Sequence, residues 1–120
     1  MIGVDPDSPV QPAEQIRSQL AALVQSGELA ADARLPTVRQ LAADLRVAAG
    51  TVAKAYRDLE QAGLIRTGRA AGTRVNAGQA TGVPVLAEAR SFARAAVNAG
   101  LSLEEAQGIL ATAWNPPRAV

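Results

Sequence analysis

The sequence predicts a mostly α-helical fold carrying one small β-hairpin, and three observations point that way. Apolar residues recur at helical spacing in five separate stretches. A single segment, Leu64 to Val75, has strand character, and it is interrupted by Gly68 and Gly72. The apolar share of 48% in 120 residues is rich in alanine, with Tyr56, Phe92 and Trp114 as the aromatic residues. Such a composition suits closely packed helices better than bulky strands.

Taken in order, residues 1–11 hold prolines and aspartates and read as an extended arm. Ile16, Leu20, Leu23 and Val24 then form one stripe on a helix of about residues 12–26, which Gly27 ends. The following GELAADARLP has the composition of a turn from which Leu29 and Leu35 can tuck inward. Thr37 is an N-cap with Gln40 at the capping-box position, and a helix over Val38 to Leu45 should bury Val38, Leu41, Ala42 and Leu45. The link RVAAG is short, and Gly50 is expected to permit its tight turn.

A third helix, about Gly50 to Ala62, places Val52, Tyr56 and Leu59 on one face, with Thr51, Lys54, Arg57, Asp58 and Gln61 opposite. Gly63 stops it. Leu64 to Thr67 and Thr73 to Val75 can pair as short strands, made basic by Arg66, Arg69 and Arg74. After a linker, a helix from Pro84 to about Asn98 carries a broad apolar face that includes Leu86 and Phe92. Ser102 and Glu105 form a second capping box, opening a helix with Leu103, Ala106, Leu110, Ala113 and Trp114 at helical spacing. Asn115, Pro116 and Pro117 end it.

Helix, tight turn, helix and basic hairpin, in that order from Leu35 to Val75, is the arrangement of a winged helix-turn-helix DNA-binding module. The expected organisation is an arm over 1–11, this module over 12–76, a linker over 77–83, a two-helix dimerisation segment over 84–114 and a tail over 115–120. Charge agrees with the module. Residues 1 to 33 carry one base against five acids, residues 34 to 74 carry eight bases against three acids, and the remainder balances. A basic patch on a chain of net charge +1 is the footprint expected of nucleic-acid binding.

Other chemistries are poorly served. Without cysteine or histidine there is no disulfide, thiolate or imidazole, and the carboxylates do not assemble into a catalytic pair. No metal and no cofactor is expected. No long apolar run or signal peptide stands out, so a cytoplasmic protein without a membrane span is the expectation.

The segment from Gln15 to Val75 resembles the DNA-binding domain of the GntR family of bacterial transcription regulators. The carrying residues are SGEL (Ser26 to Leu29), RLPTVRQLA (Arg34 to Ala42), TVAKAYRDLEQAGLI (Thr51 to Ile65) and the closing Gly72 and Thr73. The two-helix tail, with AYRDLE inside the third helix, is similar to the YtrA-type subfamily, where such a tail implies dimerisation and no large effector domain. The resemblance implies that Arg39 contacts phosphate or a base edge, that Thr51 touches the backbone, that Lys54 stands where this subfamily commonly has Arg, and that Arg69, Gly72 and Thr73 form a wing reaching the minor groove. Arg57 joins them from the exposed face of the third helix.

The chain also departs from the family pattern. Arg46 stands where the turn usually has Gly, Ala48 and Ala49 where polar residues are usual, and Ala53 where other branches have Arg. Base specificity then rests on Arg39, Lys54, shape readout and methyl contacts from alanine to thymine. Plainer readings stand beside these: an i, i+4 pair of Lys54 with Asp58, a charged strand edge for the hairpin arginines, and core or interface packing for Tyr56 and Trp114.

The expected function is that of a sequence-specific transcription regulator, a homodimeric repressor on an inverted-repeat operator in double-stranded DNA. Leu86, Phe92, Leu103, Leu110 and Trp114 would form the dimer interface. Two alternatives remain open: a regulator sensing an unidentified small-molecule effector between subunits, and a protein-interaction module without DNA binding.

Overall fold

The computed structural model describes residues 1–114, the side chains of Val83 and Pro84 excepted, so the expected tail and the helix-ending Asn115, Pro116 and Pro117 lie outside the described residues. Its elements are α1 (Pro12–Gln25), α2 (Val38–Leu45), α3 (Ala49–Gln61), β1 (Ile65–Gly68), β2 (Gly72–Val75), α4 (Val83–Asn98) and α5 (Leu103–Trp114). They fall into two compact units, one running to Val83 and one starting at Pro84.

The first unit is built on α3, which packs against both α1 and α2. Ile16, Leu20 and Val24 of α1 meet a core that includes Val52, Ala55, Tyr56 and Leu59 of α3, Leu41 and Ala42 of α2, and Ile65 and Val75 of the hairpin. Burying each large aliphatic side chain contributes about 1.5 to 3 kcal/mol. This shared core therefore fixes the helices and the hairpin as one body. Tyr56 adds a polar tie, because its hydroxyl donates to the Pro36 carbonyl at 2.7 Å and so holds the approach to α2 against α3.

Local chemistry sets most of the ends. Pro12 stands in the first turn of α1, where a missing N–H costs nothing. Thr37 and Gln40 form the full capping box: the Gln40 N–H donates to Thr37 Oγ1 at 3.1 Å and the Thr37 N–H to Gln40 Oε1 at 3.0 Å.

The turn between α2 and α3 differs from expectation. Gly50 lies inside the first turn of α3, and the left-handed residue is Arg46, at φ 56°. An αL residue directly after α2 lets the Val47 N–H reach the Ala42 carbonyl at 3.0 Å, the hydrogen bond that closes such a helix end. The turn thus accepts a backbone conformation unfavourable for a residue with a Cβ.

Strands β1 and β2 pair antiparallel, from Ile65 opposite Val75 to Gly68 opposite Gly72. The residues before α2, expected only as a turn, also run along β2. Asp32 N–H donates to Val75 O at 2.8 Å, Val75 N–H to Ala33 O at 3.0 Å and Leu35 N–H to Thr73 O at 2.8 Å. That pairing covers the second edge of β2.

The arm is bound rather than loose. Gln19 exchanges hydrogen bonds with the main chain of Gly3 (3.0 and 2.6 Å), and Gln15 does the same with Asp5 (2.8 and 3.0 Å) while also donating to Val10 O at 2.8 Å. Each primary amide, a donor and an acceptor side by side, serves the arm as a short piece of strand would. The segment read as a linker is anchored too: Gly82 N–H donates to the carbonyl of Gln25, at the end of α1, at 2.8 Å.

The second unit comprises α4 and α5. Ser102 and Glu105 form the expected capping box, with hydrogen bonds of 3.0 and 3.1 Å. Among the described residues of this unit, Ala96 and Ala106 are buried. Leu86 and Phe92 are half-buried, whereas Val97, Leu103, Leu110 and Trp114 are exposed.

Candidate nucleic-acid interface

Three parts of the first unit carry the residues singled out from the sequence: Arg39 on α2, Thr51, Lys54 and Arg57 on α3, and Arg69, Gly72 and Thr73 on the hairpin. The common core holds these parts in a fixed arrangement. Arg39 and Arg57 are exposed, and Thr51 is half-buried in the first turn of α3. That turn has little polar equipment. Its N-cap, Ala48, makes no side-chain hydrogen bond, and Ala48, Ala49 and Gly50 are all exposed.

Lys54 is partly engaged. Its Nζ lies 3.2 Å from Asp58 Oδ2 across one turn of α3, which is the plainer reading offered by the sequence. With the two side chains 60% and 37% exposed, such a pair contributes only a few tenths of a kcal/mol. A phosphate can therefore compete for the ammonium. Nearby on α1, Arg17 donates to both carboxylate oxygens of Glu14, at 2.7 and 2.5 Å. Those hydrogen bonds hold the Glu14 carboxyl below its ordinary range, and the charge of Lys54 adds to the effect.

The hairpin arginines divide into two groups. Arg66 donates to the carboxylate of Asp32, to Val75 O at 3.1 Å and to Asn76 Oδ1 at 3.2 Å. Arg74 donates to Ala71 O at 3.1 Å and to Asp32 O at 2.9 Å. Both brace the base of the hairpin. Arg69, at the tip, is exposed and enters no ion pair among the described residues. Thr73 faces Thr67 across the ladder, with hydroxyl oxygens 3.5 Å apart.

Gly72 has φ +72°, a conformation that strains any residue with a Cβ. Its neighbour is a residue the sequence reading passed over. The guanidinium of Arg34 lies against Gly72, so that a Cβ there would stand 2.9 Å from its Nε. The sequence signal was present in that Arg34 opens the basic stretch. Its closeness to the hairpin, 38 positions later, was not readable.

Arg34, Arg39, Arg57 and Arg69 thus share one compact unit and enter no ion pair among the described residues. Such cations suit phosphate oxygens, and Arg can also take a base edge in bidentate fashion. No group of three or more metal-binding side chains occurs among the described residues, and no helix there is long and apolar enough to cross a membrane.

Known proteins resemble this chain in sequence and in fold. Residues 12–75 match the family described as bacterial regulatory proteins, gntR family. The chain is 39% identical over 97 residues to the HTH-type transcriptional regulator Rv1152 of Mycobacterium tuberculosis, covering 81% of this chain and 80% of that protein. It is 40% identical over 76 residues to the HTH-type transcriptional repressor YtrA of Bacillus subtilis, covering 63% of this chain and 58% of the relative.

Among solved structures, YtrA from Sulfolobus acidocaldarius, a GntR-family transcription factor, superposes with a TM-score of 0.59 at 30% identity, over 75% of this chain and 95% of that one. The DNA-binding domain of AraR in complex with operator ORR3 superposes with a TM-score of 0.52 at 25% identity, over 62% of this chain and 92% of that one. With the matched segment spanning the helices and hairpin that hold the unpaired cations, the chain belongs to the GntR family of DNA-binding transcription regulators.

Proposed function

We propose that the protein is a homodimeric repressor that binds an inverted-repeat operator in double-stranded DNA, in the cytoplasm. The observation that carries the DNA side is the division among the arginines: Arg66 and Arg74 are engaged within the hairpin, while Arg39, Arg57 and Arg69 are left exposed and unpaired. In this reading Arg39 takes a base edge or phosphate, and Thr51, Lys54 and Arg57 line the α3 contact. Arg69, Gly72 and Thr73 enter the flanking minor groove. Repression as the sign of control is supported by the likeness to a relative named as a repressor.

Dimerisation through Leu86, Phe92, Leu103, Leu110 and Trp114 is supported by the apolar surface of α4 and α5. Leu103 is 75% and Trp114 79% exposed, an arrangement that favours cover by a second subunit. Two recognition helices about 34 Å apart would then enter successive major grooves.

Selection of bound sequences from random duplexes tests DNA binding, symmetry and half-site spacing together. Paired half-sites in inverted orientation are expected, and their absence from the bound pool would count against it. On the selected duplex, Arg39→Ala should weaken binding by about 1 to 3 kcal/mol if the side chain reads a guanine. A chain ending at Val83, which keeps the Gly82 hydrogen bond to α1, should be monomeric by light scattering and bind the operator poorly.

A further inference from the structure

Four arginines belong to the hairpin or touch it, and their donors are used very differently. Arg66 directs its guanidinium at Asp32, Val75 and Asn76, and Arg74 directs its own at Ala71 and Asp32. Those two are structural. Arg69 stands at the tip, where the family resemblance already places a contact. Arg34 is the remaining one, and it neither braces the hairpin nor stands at its tip.

Its position is well defined at the root. The main chain around it is tied to β2 by the Val75–Ala33 and Leu35–Thr73 hydrogen bonds, and Arg34 itself bridges to Arg74 across the sheet. Farther out, the guanidinium rests on Gly72. A Cβ at that position would stand 2.9 Å from Nε, 3.1 Å from Nη2 and 3.3 Å from Cζ. Yet the side chain is exposed and makes no hydrogen bond or ion pair among the described residues. The cation is thus placed by contact with the hairpin while its planar set of donors stays available. A guanidinium supported in this way loses less side-chain freedom on meeting an anion than one waving in solvent.

We propose that Arg34 is a DNA-phosphate contact of the wing, acting beside Arg69, and that Gly72 serves it by leaving room for its guanidinium. This rests on the wing lying against DNA as proposed above. Gly72 then has two functions in one residue, since its positive φ shapes the hairpin and its missing side chain seats the arginine. The anion partner is the duplex backbone, so Arg34 should add affinity on every sequence alike rather than select among bases.

The test is the dependence of duplex affinity on salt for the full-length protein and the variants Arg34→Gln, Arg69→Gln, Arg66→Gln and Arg34→Lys. Each phosphate contact contributes about 0.9 to the slope of log affinity against log salt. Arg34→Gln and Arg69→Gln should each flatten the slope by about that amount per subunit, about twice it for a bound dimer, on the operator and on unrelated duplex alike. Arg34→Lys should restore it. Arg66→Gln, which removes a brace, should lower the melting temperature and leave the slope unchanged. An Arg34→Gln protein that keeps the parental slope while Arg69→Gln loses it overturns the inference and leaves DNA binding by the wing intact. A parental protein without salt-dependent duplex affinity overturns the DNA reading itself, and the inference with it.

Discussion

Helices α1 and α5 carry similar apolar stripes and meet different fates. Ile16, Leu20 and Val24 of α1 are withdrawn from water by α3, whereas Leu103, Leu110 and Trp114 of α5 remain exposed. Both stripes have helical spacing, and nothing in their periodicity separates them. What differs is supply: the first unit offers Val52, Ala55, Tyr56 and Leu59 as an opposing face, while the described residues buried in the second unit are two alanines, Ala96 and Ala106. A stripe announces that a face needs cover. The source of the cover is a property of the assembled molecule.

The contrast can be broken at its strongest point by removing one side chain from each unit. Leu59→Ala should destabilise the first unit by about 2 to 5 kcal/mol, because Leu59 is fully buried and its loss leaves a cavity in the shared core. Leu110→Ala, at a half-exposed position, should change the unfolding free energy of the monomer by no more than about 0.5 kcal/mol while weakening self-association. Denaturant unfolding read alongside light scattering separates the two effects. Equal losses of monomer stability would erase the distinction between the units.

Tyr56 tests whether the first unit is as dry as its packing indicates. Burial pushes its phenol up to about 12. The folded state therefore favours the protonated form. The resulting stability is whole below the unfolded value of about 10 and is lost as pH rises from there through the folded value. Absorbance titration of tyrosinate should show a midpoint near 12 for this single tyrosine, and a midpoint near 10 would mean that water reaches it. Tyr56→Phe should cost about 1 kcal/mol by stranding the Pro36 carbonyl.

A smaller comparison uses the two capping boxes. Thr37→Ala should destabilise the first unit by about 1 kcal/mol, since α2 is tied into the common core. Ser102→Ala should instead lower the helicity of α5 in circular dichroism and leave the main unfolding transition in place. Hydrogen bonds from the Ser102 main chain and side chain hold Glu105 below the ordinary carboxylate value. Their contribution is complete above that ordinary value and fades as pH falls through the lower, folded one.

The smallest effect should come from the turn. Arg46→Gly relieves the left-handed backbone at φ 56° and should stabilise the first unit by about 0.5 kcal/mol after the entropy that glycine adds to the unfolded chain. An unchanged or lower melting temperature would show that Arg46 gives back in contacts what its backbone costs.

The sequence by itself determined the helices, the hairpin and the apolar stripes, because these depend on spacing and on caps that reach three residues along the chain. Thr37 with Gln40, Ser102 with Glu105 and Gly63 after α3 are examples. The residues proposed to contact DNA were legible mainly through family resemblance; spacing alone placed Lys54 and Arg57 on a polar face without saying what they touch. Tertiary structure decided which cations remain available. Arg66 reaches Asp32 across 34 positions and Arg74 reaches the same residue across 42, so neither partner lies within any local pattern. It also drew the segment from Asp32 to Leu35 along β2, bound the arm through Gln15 and Gln19, and set Arg34 on Gly72. The physical reason is common to all of them. A hydrogen bond or a steric seat needs groups within a few ångströms, and only the packed core brings such distant residues that close.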